Sequence, residues 1–189
     1  MTRMLIIGPP GSGKGTQAER ISERLGVVAI STGDIFRAHV KGGTPLGLEA
    51  RKYIDAGDFV PDSVTNEMVR SRLSADDVDN GFLLDGYPRT RAQVDELDAM
   101  LAEGGHALQA VVELTVDPEE VVARLLRRAV TEGRADDTED VIRRRQQVYR
   151  SETQPLLDYY RDLLITVDGV GEVDEVTDRL LGALRDDRT

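Results

Sequence analysis
An apolar run, Met4-Leu5-Ile6-Ile7, leads without a break into Gly8-Pro9-Pro10-Gly11-Ser12-Gly13-Lys14-Gly15-Thr16. This segment limits what the chain can become more than any other. The glycines let successive backbone N–H groups turn inward around an anion. A helix opening near Lys14 adds the positive end of its dipole, and the Lys14 ammonium reaches the outer phosphates. Strand, glycine-rich loop and helix in this order make a phosphate-binding P-loop. One position departs from the general pattern. Gly15 stands where a serine or threonine usually follows the lysine, and the hydroxyl comes one residue later, at Thr16. Thr16 is therefore expected on a phosphate oxygen, with Mg²⁺ left to water and to a carboxylate elsewhere.

A phosphate-gripping chain needs local positive charge, yet the 189 residues carry a formal net charge of −11. That balance excludes a non-specific nucleic-acid binder, so the cations must be gathered in one place. There are no cysteines, which excludes disulfides and cysteine-ligated zinc and fits a reducing compartment. No secretory pattern follows Met1-Thr2-Arg3, and no segment approaches membrane-spanning length. The expectation is a single cytoplasmic domain.

Five apolar runs read as strands: Met4–Ile7, Val27–Ile30, Phe82–Leu84, Ala110–Val116 and Leu163–Val167. Most are continuous rather than alternating, as when helices cover both faces of a parallel sheet. Helical faces recur between them: Ala18, Ile21 and Leu25; Val94, Leu97 and Leu101; Val173, Val176, Leu180 and Leu184. Asp117-Pro118-Glu119-Glu120 and Thr138-Glu139-Asp140 are helix starts. The second helix should kink or break before Pro155. The expected fold is an α/β/α three-layer P-loop domain on a five-stranded parallel sheet. Two segments interrupt it. Residues 32–60 carry two helical patterns split by Gly42-Gly43-Thr44-Pro45, with Thr32 or Asp34 able to cap the first. Residues 129–137 hold few groups that could dock and form a flap.

Arginines fall at the edges of these interruptions: Arg37, Arg89, Arg124 and Arg128 at i, i+4 spacing, Arg134 and Arg145. Arg51, Arg70, Arg179 and Arg185 read instead as solvated surface charges. Asp85, closing an apolar strand before Gly86, is placed to hold Mg²⁺ directly or through water. Gly86-Tyr87-Pro88 makes a tight turn towards the same end of the sheet. His39 and His106 have no partner pattern and read as surface or helix-end residues.

Taken together, Gly8 to Gln17, Ser31-Thr32-Gly33-Asp34, Gly57-Asp58-Phe59-Val60-Pro61, Asp85-Gly86-Tyr87-Pro88-Arg89 and Gly133-Arg134-Ala135-Asp136-Asp137 resemble the adenylate kinases of the bacterial short-lid type over nearly the whole chain. In that family the Gly-Lys-Gly-Thr spelling is ordinary. The resemblance implies reversible transfer from Mg-ATP to AMP, giving two ADP. It implies that Gly11, Ser12, Gly13, Lys14, Gly15 and Thr16 cradle ATP, joined by Arg124, Arg128 and the backbone at Gly171. It places AMP on Thr32, Gly33, Arg37, the backbone of Asp58, Phe59 and Val60, Gly86, Arg89 and Gln93, with Arg134 and Arg145 reaching across. Residues 32–60 would be the AMP-binding insertion and 129–137 the lid, in a monomer without zinc. Two alternatives stay open: a UMP/CMP kinase on the same fold, and a P-loop switch protein. Pyrimidine kinases tend to carry Ala and Asn at the positions of Thr32 and Gln93. Guanine-selective switches carry Asn-Lys-x-Asp, and neither Asn66 nor Asn80 precedes a lysine.

Overall fold
The computed structural model describes residues 2–131 and 138–186. Strand β1 (Thr2–Ile7) runs into helix α1 (Lys14–Leu25), followed by β2 (Val28–Ser31), α2 (Thr32–Lys41), α3 (Pro45–Ala56) and α4 (Asp62–Leu73). Then come β3 (Gly81–Asp85), α5 (Arg91–Glu103), β4 (Ala110–Thr115) and α6 (Pro118–Thr131). The chain closes with α7 (Glu139–Val148), a π-turn at Tyr149–Thr153, α8 (Leu156–Tyr159), β5 (Leu164–Asp168) and α9 (Val173–Asp186). All five expected strands are present, with ends shifted by a residue or two.

The strands form one sheet in the order β2-β3-β1-β4-β5. Every neighbouring pair is parallel. Successive side chains of a strand point to opposite faces, and both faces are buried. Leu5 and Ile7 join Leu84, Val111 and the α5 residues Val94, Leu97 and Leu101 on one side. Met4 and Ile6 join Leu83, Val112, Leu114, the α1 residues Ala18 and Ile21, and Val176, Leu180, Leu181 and Leu184 of α9 on the other. That double burial is why the strands are continuously apolar. Val173, grouped with the α9 face in sequence, is instead 43 % exposed.

β1 and β4 lie side by side, but the chain leaves them for opposite edges of the sheet, towards β2 and towards β5. In a parallel α/β sheet a ligand crevice opens at the carboxyl ends of such strands. Between β2 and β3 lie α2 and α3, whose Phe36 and Ala50 pack with Val60 against Leu46, Tyr53 and Ile54. Val64 and Met68 of α4 complete this small core. Helix α4 is absent from the sequence expectation. Its buried face includes Thr65, and Asn66 accepts the Tyr87 hydroxyl at 2.9 Å, so its apolar stripe is broken by polar groups. The cap of α2 also differs from expectation. Ser31 Oγ, not Thr32 or Asp34, accepts the Asp34 N–H, at 3.2 Å. The break before Pro155 is present, as the π-turn that separates α7 from α8.

Leu97 is fully buried against the sheet. Leu97→Ala should cost about 2–5 kcal/mol of unfolding free energy through lost burial and a residual cavity. A fall in urea midpoint at unchanged m-value would show it.

Candidate active site
A cavity of about 440 Å³ opens at the carboxyl ends of β1, β2 and β3. Its wall carries six cationic side chains, Lys14, Arg37, Arg89, Arg124, Arg128 and Arg145, against the four acids Glu19, Asp34, Asp58 and Asp85. An acidic chain has thus collected an excess of positive charge around one hollow.

One end of the cavity is the P-loop. Gly11 has φ of +88°, and a Cβ there would lie 2.7 Å from Leu125 of α6, so only glycine lets the loop lie this close to the helix. Helix α1 begins after Gly13 with no side chain capping it. Its first N–H groups are therefore left for an anion. Lys14 Nζ donates to the carbonyls of Gly8 at 2.8 Å and Pro9 at 2.9 Å. Burial pushes the Lys14 ammonium down to about 8; Asp85 opposes this, while Arg89 and Arg128 add to it. Arg124 ties α6 to the loop after β5, donating to Glu120 at 2.8 Å and to the Gly169 carbonyl at 3.2 Å.

The other end is built from the β3 exit. Burial raises the Asp85 carboxyl above the usual carboxylate range, against the pull of Lys14 and Arg89. Gly86 has φ of +83°, and a Cβ there would lie 2.6 Å from Thr32 Oγ1. That close approach lets Thr32 donate to the Gly86 carbonyl at 2.9 Å. The Tyr87–Pro88 peptide is cis. Arg89 then folds back, donating from Nε to the Gly86 carbonyl at 2.8 Å. Its guanidinium stands 5.2 Å from the centroid of the Phe59 ring. Burial pulls Arg89 below its ordinary value, as expected for a cation held out of water. Arg37 pairs with Asp34 and lies against Gly33. Arg145 of α7 donates to the Ile54 carbonyl at 3.5 Å.

The structure therefore brings Gly11, Gly13, Lys14, Gly15, Thr16, Thr32, Gly33, Arg37, Asp58, Phe59, Val60, Asp85, Gly86, Arg89, Gln93, Arg124, Arg128 and Arg145 to one cavity. Ser12 does not line it; it is 2 % exposed, and its hydroxyl has no hydrogen-bond partner among the described residues. Gly171 does not line it either. It sits in the loop after β5, where Arg179 donates to the carbonyls of Asp168 and Val170. Arg179 thus shapes that loop, beyond the surface charge expected of it. Arg134 and residues 132–137 of the expected lid lie outside the described residues.

The chain matches the adenylate kinase family model over residues 6–164. An adenylate kinase of Pseudarthrobacter chlorophenolicus is 66 % identical over 187 residues, covering 98 % of this chain and 97 % of the relative. Those of Renibacterium salmoninarum and a Nocardioides strain are 65 % and 64 % identical, each covering 96 % or more of both chains. The chain belongs to the adenylate kinase family. Adenylate kinases are ATP:AMP phosphotransferases, so the switch-protein and pyrimidine-kinase alternatives are not favoured.

Several residues that hold this adenylate kinase site together escaped the sequence reading. Gln146 donates to the Pro10 carbonyl at 2.9 Å, and Thr153 to the Arg89 carbonyl at 2.9 Å. Arg144 pairs with Asp58 at 2.7 Å. All three lie on α7 or the π-turn after it, remote in sequence from their partners. No local pattern marks such contacts. Asp62 follows Pro61 in Val60-Pro61-Asp62, which is a helix-start signal that could have been read.

Among the described residues no three His, Cys, Asp or Glu side chains form a cluster able to hold a metal. Asp85, half-buried at the cavity wall and facing the P-loop at Gly15, is a hard oxygen donor. One such donor suits Mg²⁺ that takes its other ligands from phosphate and water.

The lowered Lys14 value has a consequence for stability. Between about pH 8 and the ordinary 10.5 the unfolded chain binds the proton that the folded chain has lost. Folding is therefore favoured as pH rises across this window. Urea denaturation from pH 7 to 10.5 should show the parent gaining stability relative to Lys14→Met.

Proposed function
We propose that the wall of this cavity is divided between two nucleotides that meet tail to tail. Gly11 to Thr16 and the open amino end of α1 hold the ATP phosphates, with Arg124 and Arg128 from α6 beside them and Gly171 near the base. Thr32, Gly33, Arg37, the backbone of Asp58 to Val60, Gly86, Arg89 and Gln93 hold AMP. Arg145, with Arg134 of the lid, spans the two. The observation that carries this reading is the concentration of cations in a net-acidic chain. Lys14 and Arg89, both desolvated, flank the same Asp85. A group that carries negative charge through the reaction is best held between such fixed positive charges.

Phosphoryl transfer needs little covalent help from the protein. Lys14, Arg89 and the α6 arginines neutralise charge on the transferred group and align the attacking and leaving oxygens. The AMP phosphate is itself the nucleophile, so no general base is assigned. Asp85 would hold the Mg²⁺ that accompanies ATP, through water, and the ion would supply further neutralisation of phosphate charge. Residues 32–60 act as the AMP-binding insertion and 129–137 as a lid. Their closure keeps water from competing with AMP as acceptor. No described helix is long and apolar enough to cross a membrane. We further propose a cytoplasmic monomer whose ligands are ATP, AMP and ADP.

Lys14→Met should keep the fold and lower kcat by a hundredfold or more, on the order of 3 kcal/mol of transition-state stabilisation. An ATP-plus-AMP coupled assay beside far-ultraviolet circular dichroism checks both halves. Activity near the parent's would refute the P-loop assignment. A second expectation concerns the base: turnover with AMP should exceed that with CMP or UMP in the same assay.

A further inference from the structure
Gln93 is 1 % exposed, yet it reaches the cavity wall. A primary amide has a donor side and an acceptor side of nearly the same shape, so what it recognises depends on which way round it is held. Here both sides are held by groups that cannot change role. Gln93 Oε1 accepts the Arg89 backbone N–H at 2.7 Å, and a backbone N–H can only donate. Gln93 Nε2 donates to Asp62 Oδ1 at 2.7 Å, and a carboxylate can only accept. The second Asp62 oxygen accepts the Thr90 hydroxyl at 3.0 Å, and Thr90 caps the same helix by accepting the Gln93 N–H at 3.2 Å. Asp62, the first residue of α4, thereby clamps the first turn of α5.

We propose that Asp62 is a specificity-determining positioning residue. It locks the Gln93 amide so that its oxygen meets an exocyclic amino group and its nitrogen meets a ring acceptor. This rests on the reading that Gln93 faces the AMP base. Each amide atom has one hydrogen-bonding position left over. Oε1 keeps a lone pair and Nε2 keeps a proton, the complement of the amino group and ring nitrogen on an adenine edge. A 6-keto purine puts an oxygen where adenine has its amino group, so it brings a lone pair against Oε1. Turning the amide over would cure that repulsion. The turn sets a donor against the Arg89 N–H and an acceptor against the Asp62 carboxylate, both packed against the buried Gln93 side chain. Unpaired buried polar groups of this kind are costly. The clamp therefore rejects the keto base by denying Gln93 its other orientation. The contact to adenine itself comes from Gln93.

The discriminating pair of substrates is AMP and IMP, which differ at the 6-position and its neighbouring ring nitrogen. The test compares kcat/KM for AMP and for IMP, at saturating Mg-ATP, in the parent, Asp62→Asn, Asp62→Leu and Gln93→Ala. Asp62→Asn keeps the shape of the side chain at the start of α4, but its amide can turn over together with Gln93, the Thr90 hydroxyl donating or accepting as required, so it no longer fixes which way Gln93 is held. The AMP-to-IMP ratio should fall about tenfold or more in Asp62→Asn and at least as far in Asp62→Leu, with KM for ATP within about twofold of the parent's. A merely structural role for Asp62 would lower both substrates together and leave the ratio fixed. That result in Asp62→Asn overturns the proposal, whether or not Asp62→Leu folds. Gln93→Ala separates the two levels. A fallen ratio there with an unchanged ratio in Asp62→Asn keeps Gln93 as the base reader and removes Asp62. An unchanged ratio in Gln93→Ala removes the reading of Gln93 itself, and the clamp with it.

Discussion
Lys14, Asp85 and Arg89 share a water-poor space at the ends of β1 and β3, and the site depends on that crowding. β1 and β3 are paired with Ile6 opposite Asp85, so the P-loop and the Arg89 turn leave adjacent strands at the same level. Backbone geometry alone then sets two cations and one acid side by side. Burial weakens the charged form of each of the three. One carboxylate cannot balance two partly buried cations, so the arrangement is short of negative charge. In the function proposed above, phosphate supplies that charge. The same desolvation that makes the site costly strengthens its grip on an anion.

The sequence showed the parts of this plan that rest on local chemistry. The P-loop spelling, five continuous apolar runs and the Asp117 and Thr138 caps are each decided within a few residues. All appear in the structure close to where they were expected. Asp117 Oδ1, for example, accepts the Glu119 N–H at 2.9 Å. What escaped depends on the third dimension. Helix α4 was missed because Thr65 and Asn66 break its apolar face, and their partners, Val60 and Tyr87, belong to other segments. Arg179 reads as a surface cation until its carbonyl partners in the β5 loop are seen. Ser31 took the cap assigned to Thr32 or Asp34, because Thr32 is drawn inward to Gly86. In each case a long-range contact decided the role of a residue whose local pattern fits another.

The two ends of the cavity use different physics. At the end proposed for the phosphates the groups are charges and backbone dipoles, whose attraction depends on distance more than on angle. Arginines reaching in from α6 and α7 suffice there. At the end proposed for the AMP base, recognition depends on which atom donates and which accepts, so a reader there must be rigid. Gln93 is accordingly buried and bonded on both sides, on the first turn of a helix whose next residue, Val94, is locked into the core. A rigid reader at one end and gathered charge at the other answer the two demands of a transferase, which must select one partner and hold phosphate from both.

An acidic surface around a cationic hollow bears on how anionic nucleotides arrive. Seen from afar, a chain of net charge −11 repels them. At physiological ionic strength the Debye length is about 8 Å, so that repulsion is largely screened beyond that distance from the surface. Inside the cavity six cations outnumber four acids, in a setting screened far less than the surface. The overall charge is thus nearly silent for binding, while the local charge is decisive. Solubility can be left to the exterior carboxylates and phosphate capture to the cavity, with little conflict between them.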